Sequence, residues 1–251
     1  MQTLKLSVLD DMYWQLPKYC VTAKKDIGVW EYTRGEFLGE DGYRYDDFKS
    51  TIKTGDRWLA AYDSAHFFKA SVTVPYEMDG KPLRARLKVG GEALVKCNGK
   101  YVAGCTSRRT IPDRADVELG IHKGGEVLTF EVEATVDSME FCDDAMDGAK
   151  YQECDFGETS IFTVDSECEG YFFDLEVAFD ALDYIKDEHI KSKVYAAIDD
   201  SLHVVDYDFE PDAVRESMHR ARQLYLKRIS EIEWSAQSRV MLTGHSHIDV
   251  A

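Results

Sequence analysis

Three side chains that can bind a metal ion or transfer protons alternate within the segment TGHSHIDVA at positions 243–251. They are His245, His247 and Asp249. Because side chains alternate across an extended chain, all three are expected on one side of it. Imidazole and carboxylate groups together suit zinc, but three ligands from one short segment rarely close a site. The spacing therefore predicts part of a zinc site, with a surface cluster on a frayed tail as the alternative.

The residues before this cluster favour the zinc-site interpretation. Val240, Met241 and Leu242 form a short apolar run, which is typical of a strand buried on both faces, as in a parallel sheet or an α/β barrel. In such folds the active-site residues follow the carboxyl ends of the strands. We therefore expect the apolar run to be a strand that leads into a site.

The composition narrows the classes of partner. The 251 residues include 47 Asp and Glu against 30 Lys and Arg, which gives a formal net charge of −17. Nucleic acids and anionic membranes need basic patches, so the sequence predicts neither partner. No apolar run reaches the roughly 20 residues of a membrane span, and the N-terminus lacks the pattern of a signal peptide. The six cysteines form no C-x-x-C pair, so we predict a cytoplasmic protein with free thiols.

Short runs rich in Val, Tyr, Phe and Thr, separated by turn residues, extend from about Asp26 to Thr163. The clearest of these runs are His66–Pro75, Leu83–Gly91 and Glu126–Val136. The first two alternate at period two, which indicates strands with one buried face. Met78–Lys81 supplies a turn, and Asn98-Gly99 lies between two strand-like runs, as a type I′ hairpin requires. The pattern predicts a β-sandwich of jelly-roll type.

After Val164 the apolar residues recur at helical spacing. One set is Phe172, Leu175, Phe179, Leu182 and Ile185, a second is Ile190, Val194, Ala197, Ile198, Leu202 and Val205, and a third is Val214, Met218, Ala221, Tyr225, Ile229 and Ile232. The third helix is expected to begin near Pro211, because proline is tolerated in the first turn. Such stripes are more often packing faces than cofactor sites, so we predict three packed helices after the sandwich.

An acidic segment at 137–158 separates the predicted strands from the helices. Counted from Asp143, a calcium-binding loop would need oxygen ligands at its third and twelfth positions. Those positions hold Ala145 and Cys154. The segment is therefore expected to be a solvated acidic loop.

Two hydrolase families fit the terminal cluster. The cluster resembles the H-x-H-x-D-H motif of the metallo-β-lactamase-like hydrolases, but Val250 stands where that motif has its last histidine, and that fold has no preceding jelly roll. The segment GHSHIDVA (Gly244–Ala251) is similar at nearly every position to a G-H-x-H-I-D-x-A motif. That motif ends the first strand of the catalytic domain in glycoside hydrolase family 38, the zinc-dependent α-mannosidases.

The resemblance to family 38 extends upstream of the motif. GDRWLAAYDSAHFFKASVTVP and the later DGKPLRARLKVGGEALVKCNGKYVAGCTSRR resemble the ancillary β-sandwich of cytosolic and vacuolar-type members, and FTVDSECEGYFFDLEVAFDAL resembles their helical connection. The resemblance covers most of residues 55–251 and implies an ancillary β-sandwich at 26–164, a helical connection at 165–236 and, at 237–251, the first strand of a truncated α/β barrel catalytic domain. Residues 1–25 resemble no part of that family and are expected to be an N-terminal extension.

The resemblance also implies a division of chemical roles. His247 and Asp249 would ligate zinc, whereas His245 matches a position that is not normally a ligand. The ion would hold the vicinal hydroxyls of a mannosyl ring. A retaining glycosidase also needs a carboxylate nucleophile and an acid/base carboxylic acid, and the resemblance places both beyond residue 251. The full-length enzyme would hydrolyse α-mannoside oligosaccharides, and the resemblance is compatible with a homo-oligomer. The 251-residue chain alone is expected to be inactive.

A carbohydrate-binding sandwich without catalysis is the competing hypothesis. Jelly-roll sandwiches occur in lectin domains, and exposed aromatic rings can stack on sugar rings. The candidates are Trp30, Trp58, Tyr43 and Tyr45. For each of them, packing in the core or between domains is the favoured interpretation.

Overall fold

The computed structural model describes residues 2–61, 64–107, 115–136 and 151–234. The chain divides into two compact units. Of the described residues, one unit is the segment Val21–Asp165, and the other combines residues 2–20 with residues 166–234.

The Val21–Asp165 unit is built from antiparallel strands. They are β1 (Val21–Asp26), β2 (Trp30–Phe37), β3 (Tyr43–Ile52), β4 (Arg57–Ala61), β5 (Ser64–Thr73), β6 (Pro82–Leu87), β7 (Gly91–Cys97), β8 (Lys100–Ser107), β9 (Asp116–Ile121), β10 (Val127–Thr135), β11 (Tyr151–Asp155) and β12 (Thr159–Val164). A six-stranded sheet has the order β3-β2-β5-β10-β7-β8, a four-stranded sheet has the order β1-β12-β6-β9, and β11 pairs with β4. Mainly β structure followed by helices agrees with the predicted sandwich.

Two predicted turns form, with different consequences for the topology. Asn98 and Gly99 have φ angles of 49° and 75° and join β7 to β8, which confirms the predicted hairpin because a type I′ turn needs positive φ at both central residues. Met78–Lys81 also contains a turn, with Gly80 at φ 67°. It joins β5 to β6, which belong to different sheets. Neighbours in the sequence are therefore not partners in the sheet at this point.

One apolar core fills the sandwich. Its largest fully buried side chains include Trp30, Trp58, Phe68, Phe130 and Phe156. Strands β5, β7 and β10 of the six-stranded sheet alternate between buried and accessible residues, as the burial of alternate residues from Leu128 to Ala134 shows. Each of these strands therefore presents a second face that the core does not cover.

The second unit is helical. Its helices are α1 (Gln2–Tyr13), α2 (Pro17–Cys20), α3 (Ser166–Leu182), α4 (Glu188–Leu202) and α5 (Pro211–Ser230). The three predicted helices form, with Pro211 in the first turn of α5. The Asp187 side chain caps α4 by accepting hydrogen bonds from the backbone N–H groups of His189 and Ile190. Whether these helices connect to a catalytic domain stays a prediction.

The structure divides the N-terminus differently from the predicted extension at 1–25. Leu9, Tyr13 and Leu16 are buried in one core with α3, α4 and α5, while β1 begins at Val21 and pairs with β12 of the four-stranded sheet. Residues up to Cys20 therefore belong with helices that follow them by more than 140 positions in the chain.

Several predictions concern residues outside the described ranges, and others are tested within those ranges. Residues 237–251, the predicted first barrel strand, and residues 137–150 of the acidic segment lie outside the described residues. The prediction of a solvated loop was wrong for the rest of that segment, because Tyr151–Asp155 forms β11 and both Cys154 and Phe156 are buried. Within the described ranges there is no closed barrel. No disulfide joins the five cysteines in those ranges, and none of the helices there is both long and apolar enough to cross a bilayer.

Candidate functional site

The predicted zinc ligands His247 and Asp249, together with His245, lie outside the residues that the structure describes. Their arrangement therefore stays a prediction from the sequence. The site that can be built from contacts and distances lies instead in the sandwich, and it includes two of the four aromatic residues that the sequence singled out.

Trp30 and Trp58 are core residues, which confirms the packing interpretation for these two and excludes them as sugar-stacking rings. Their exposed fractions are 0% and 2%. The Trp30 indole Nε1 donates a 3.0 Å hydrogen bond to Thr159 Oγ1, and Trp58 Nε1 donates a 2.8 Å bond to the Val89 carbonyl. Both rings point to the inner face of their strands, and their N–H groups are satisfied inside the sandwich.

Tyr43 and Tyr45 lie instead on the outer face of the six-stranded sheet. They border a groove of about 520 Å³, within the range of about 300–1,000 Å³ that is usual for ligand pockets. We call it the tyrosine groove and define it by its aromatic and charged lining: Tyr43, Tyr45, Phe67, Tyr101, Glu31, Lys69, Lys96, Glu131 and Glu133. Tyr45 and Tyr101 are 62% and 64% exposed, so both rings present accessible faces.

One wall of the tyrosine groove is an aromatic cluster. The Phe67 ring lies 5.2 Å from Tyr43, nearly perpendicular to it, and 5.1 Å from Tyr45. Gly35 lets β3 approach β2 closely, because a Cβ atom there would lie only 3.0 Å from the Arg44 carbonyl oxygen, whereas its distance of 3.5 Å from the Phe67 ring would be an ordinary contact. The glycine therefore serves the pairing of β2 with β3, the strand that carries Tyr43 and Tyr45.

The floor of the groove is a row of alternating charges that strand register creates. Glu31 pairs with Lys69, Lys69 with Glu131, Glu131 with Lys96, and Lys96 with Tyr101. Lys69 Nζ lies 2.8 Å from Glu131 Oε1, and Lys96 Nζ lies 4.5 Å from the centre of the Tyr101 ring. The hydrogen bond between Lys69 and Glu131 raises the pKa of the lysine and lowers the pKa of the glutamate. Both groups are therefore charged near neutral pH.

The two sides of the groove are joined by a hydrogen bond from Tyr43. Its hydroxyl donates to Glu133 Oε1, which fixes the carboxylate beside the aromatic wall. Burial, followed by the hydrogen bond and charge of Glu133, raises the pKa of Tyr43 to about 12. The tyrosine is thus a neutral donor, and Glu133 has a defined orientation.

A second depression adjoins the tyrosine groove on the same face. It measures about 450 Å³ and shares Leu94 and Glu133 with the groove. We call it the polar depression and define it by the side chains of Glu92, Leu94, Thr106, Glu133 and Thr135. It adds hydroxyl groups to the charged and aromatic lining of its neighbour.

This arrangement is suited to binding more than to acid catalysis. A glycosidase needs one carboxyl group whose pKa is raised so that it holds a proton. Glu131 has the opposite tendency, because Lys69 lowers its pKa. Flat rings beside hydrogen-bonding groups can instead hold a molecule that has both apolar faces and hydroxyls.

A buried polar chain links Tyr32, His66 and Ser64 beneath this sheet. The Tyr32 hydroxyl lies 2.8 Å from His66 Nδ1, and Ser64 Oγ lies 2.9 Å from His66 Nε2. Although a Ser–His pair suggests a nucleophile, the Ser64 hydroxyl also bonds the backbone of Ala61, and His66 is only 1% exposed. Burial lowers the pKa of His66 to about 4, so we interpret the chain as a neutral structural network.

Sequence reasoning missed Phe67, Tyr101 and the charged row. The period-two pattern contained a signal for Phe67 and Lys69, because they alternate with the apolar residues Phe68 and Ala70. The pairing within the charged row had no such signal, since it depends on strand partners up to 62 positions apart.

Comparison with known proteins finds solved structures that align with only part of this chain. No family model matches the chain, and no curated protein does. Among solved structures, a β-glucuronidase from Faecalibacterium prausnitzii overlaps 57% of this chain and 31% of its own, with a TM-score of 0.38 and 14% identity. A β-glucuronidase from Ruminococcus gnavus overlaps 57% and 28%, with a TM-score of 0.38 and 8% identity.

A β-glucosidase from Kluyveromyces marxianus overlaps 60% of this chain and 17% of its own, with a TM-score of 0.33 and 12% identity. The chain therefore spans less than a third of the length of each of these three proteins. With TM-scores below 0.5, the overlaps carry no argument about what this chain does.

Proposed function

We propose that this chain is the N-terminal portion of a cytoplasmic, zinc-dependent retaining α-mannosidase that hydrolyses terminal α-mannosyl residues of oligosaccharides. The observation that carries the proposal is the segment Gly244–Ala251, which resembles the family 38 motif at nearly every position. The order of a sandwich, then helices, then this motif supports it, because the same order characterises the family that the sequence resembles.

In this proposal the chain contributes half of a metal site. His247 and Asp249 offer imidazole and carboxylate donors, a set that suits zinc. When bound, the ion would supply a template for the vicinal hydroxyls of the mannosyl ring. The nucleophile and the acid/base residue would come from positions beyond residue 251, so the chain alone would bind the metal weakly and would not hydrolyse α-mannosides.

The test compares the 251-residue chain with the protein encoded by the full reading frame that contains this sequence. We expect the longer protein to release aryl alcohol from an aryl α-mannoside and to contain about one zinc ion per chain. We expect the 251-residue chain to do neither. Turnover by the 251-residue chain, or a stop codon directly after residue 251, would contradict the proposal.

Substitutions within the terminal motif make this test specific. In the longer protein, His247→Ala and Asp249→Ala should both lower the zinc content and abolish turnover. His245→Ala is the matched control, because its position in the resembling motif is not normally a ligand, and it should retain zinc. If the His245 variant lost zinc and the His247 and Asp249 variants kept it, the zinc ligand in this motif would be His245, and the proposed assignment would be wrong.

A second candidate function, carbohydrate binding by the sandwich, is favoured by the exposed ring of Tyr45 beside Phe67 and the charged floor of the tyrosine groove. It is compatible with the first, since one chain can carry both activities. We expect the 251-residue chain to bind glycans on an array, and the Tyr45→Ala variant to lose that signal. Equal signals for the two proteins would place the binding elsewhere.

A further inference from the structure

We infer that the tyrosine groove and the polar depression together bind a neutral oligosaccharide of at least two sugar units, with Glu133 between the two subsites. This inference rests on the proposal that the sandwich binds carbohydrate. It adds the chemical class of the ligand, its minimum length and the residue about which the two subsites are arranged.

The tyrosine groove provides the stacking subsite. Tyr45 and Tyr101 are exposed and lie in the lining of one groove, with the Lys69–Glu131 ion pair in its floor. The C–H face of a pyranose ring can lie against an aromatic ring while its hydroxyls reach charged donors and acceptors. A purely apolar ligand would leave that ion pair without compensating hydrogen bonds.

The charge of the lining favours a neutral ligand over an anionic one. Three carboxylates, those of Glu31, Glu131 and Glu133, face two ammonium groups in the groove. Both lysines are already engaged, Lys69 with Glu131 and Lys96 with the Tyr101 ring. The whole chain also has a formal net charge of −17, which disfavours the approach of an anion.

The polar depression provides the second subsite. It adjoins the tyrosine groove at the shared residues Leu94 and Glu133. One extended ligand can therefore occupy both depressions along the sheet. Thr106 and Thr135 contribute hydroxyl groups there. The Thr135 hydroxyl donates to the Ser64 carbonyl and can accept from a ligand, whereas the Thr106 hydroxyl can donate as well as accept. A basic peptide would suit the carboxylates but would leave these neutral hydroxyls without a specific role.

Glu133 is the residue that both subsites share. Tyr43 holds its Oε1 atom, which leaves Oε2 to accept a hydrogen bond from a ligand hydroxyl. Because the carboxylate is already oriented, less rotational freedom is lost when a ligand binds. We therefore place the junction between two sugar units beside Glu133.

Isothermal titration calorimetry on the 251-residue chain tests this arrangement. The ligands are mannotriose, cellotriose and xylotriose, the three corresponding monosaccharides, trigalacturonic acid and trilysine. We expect at least one neutral trisaccharide to bind at least tenfold more tightly than its monosaccharide, and more tightly than the anionic and basic probes. Tighter binding of trigalacturonic acid or trilysine would overturn the inference.

Variants separate the two subsites. Tyr45→Ala and Tyr101→Ala should weaken the monosaccharide and the trisaccharide alike, by at least fivefold. Thr106→Val and Thr135→Val should weaken only the trisaccharide. Tyr76→Ala is the control, because Tyr76 is 81% exposed outside both depressions, and its affinities should be unchanged.

The results also separate this inference from the proposal on which it rests. Equal affinities for a monosaccharide and its trisaccharide would overturn the two-subsite arrangement and leave carbohydrate binding by the sandwich intact. Absence of binding by every sugar at millimolar concentration would overturn both. Binding that none of the groove variants changes would overturn the placement of the ligand.

Discussion

Trp30 and Thr159 form a hydrogen bond across the interior of the sandwich. The Trp30 indole Nε1 donates to Thr159 Oγ1 at 3.0 Å, and both side chains are buried. Trp30 begins β2 in the six-stranded sheet, whereas Thr159 begins β12 in the four-stranded sheet. One polar bond within an apolar core therefore joins the two sheets.

Replacing Trp30 should show how much this contact contributes to stability. Trp30→Phe removes the donor, leaves the Thr159 hydroxyl buried without its partner, and creates a small cavity. We expect the free energy of unfolding to fall by about 2–3 kcal/mol. Urea unfolding followed by circular dichroism measures this change.

Trp14→Phe is the control for the tryptophan substitution itself. Trp14 is 63% exposed, so the change should cost less than about 0.5 kcal/mol. Similar losses in both variants would mean that the cross-sheet hydrogen bond has no special contribution.

Two glycines with similar backbone angles should respond differently to alanine. Gly91 and Gly99 have φ angles of 64° and 75°, but a Cβ atom at Gly91 would lie 2.3 Å from the Thr135 carbonyl oxygen, whereas one at Gly99 would meet nothing within 4 Å. Gly99→Ala should cost about 1 kcal/mol in backbone strain. Gly91→Ala should cost about 3 kcal/mol, because overpacking against a fixed backbone atom adds to the strain.

Thermal and urea unfolding of the two glycine variants, measured in parallel, decide this prediction. A loss at Gly99 as large as that at Gly91 would show that backbone strain dominates and that the approach of Thr135 adds little.

Burial of His66 should make the sandwich less stable in acid. Its pKa falls to about 4, mainly through burial and also through Arg34, whereas the imidazole in the unfolded chain titrates near 6.5. The unfolded state therefore binds more protons between these pH values. The stabilising contribution is complete above pH 6.5 and declines as the pH falls to about 4, by about 3 kcal/mol in total.

Comparison with a His66→Gln variant isolates this titration from that of the carboxylates. We expect the difference in unfolding free energy between the two proteins to change with pH between about 6.5 and 4, and to be constant above that range. A difference that stays constant from pH 7 to pH 4 would show that His66 does not titrate differently in the folded state.

Two thiols of the sandwich should resist alkylation. Burial raises the pKa of Cys105 to about 11 and also raises that of Cys97. Since the thiolate is the reactive form, a short iodoacetamide pulse at pH 8 should label both sites at least tenfold less in the native protein than in urea. Peptide mass spectrometry measures each site separately. Rapid labelling of Cys105 in the native protein would show that the strands around it open readily.

The sequence by itself determined the type of most elements. Period-two runs became strands and 3.6-period runs became helices, and Pro211 lies at the start of α5. Asn98-Gly99 formed its hairpin because positive φ at two successive residues is a local property. These features depend on residues a few positions apart, so local patterns were sufficient to predict them.

Only the tertiary structure decided which side chains meet. Trp30 and Tyr43 were equal candidates in the sequence, but burial of one face of each sheet placed Trp30 inside and Tyr43 at the groove. The row from Glu31 to Tyr101 exists because five strands pair in a register set over long separations. Strand order minimises exposed apolar area for the whole sheet, and no single segment contains that information.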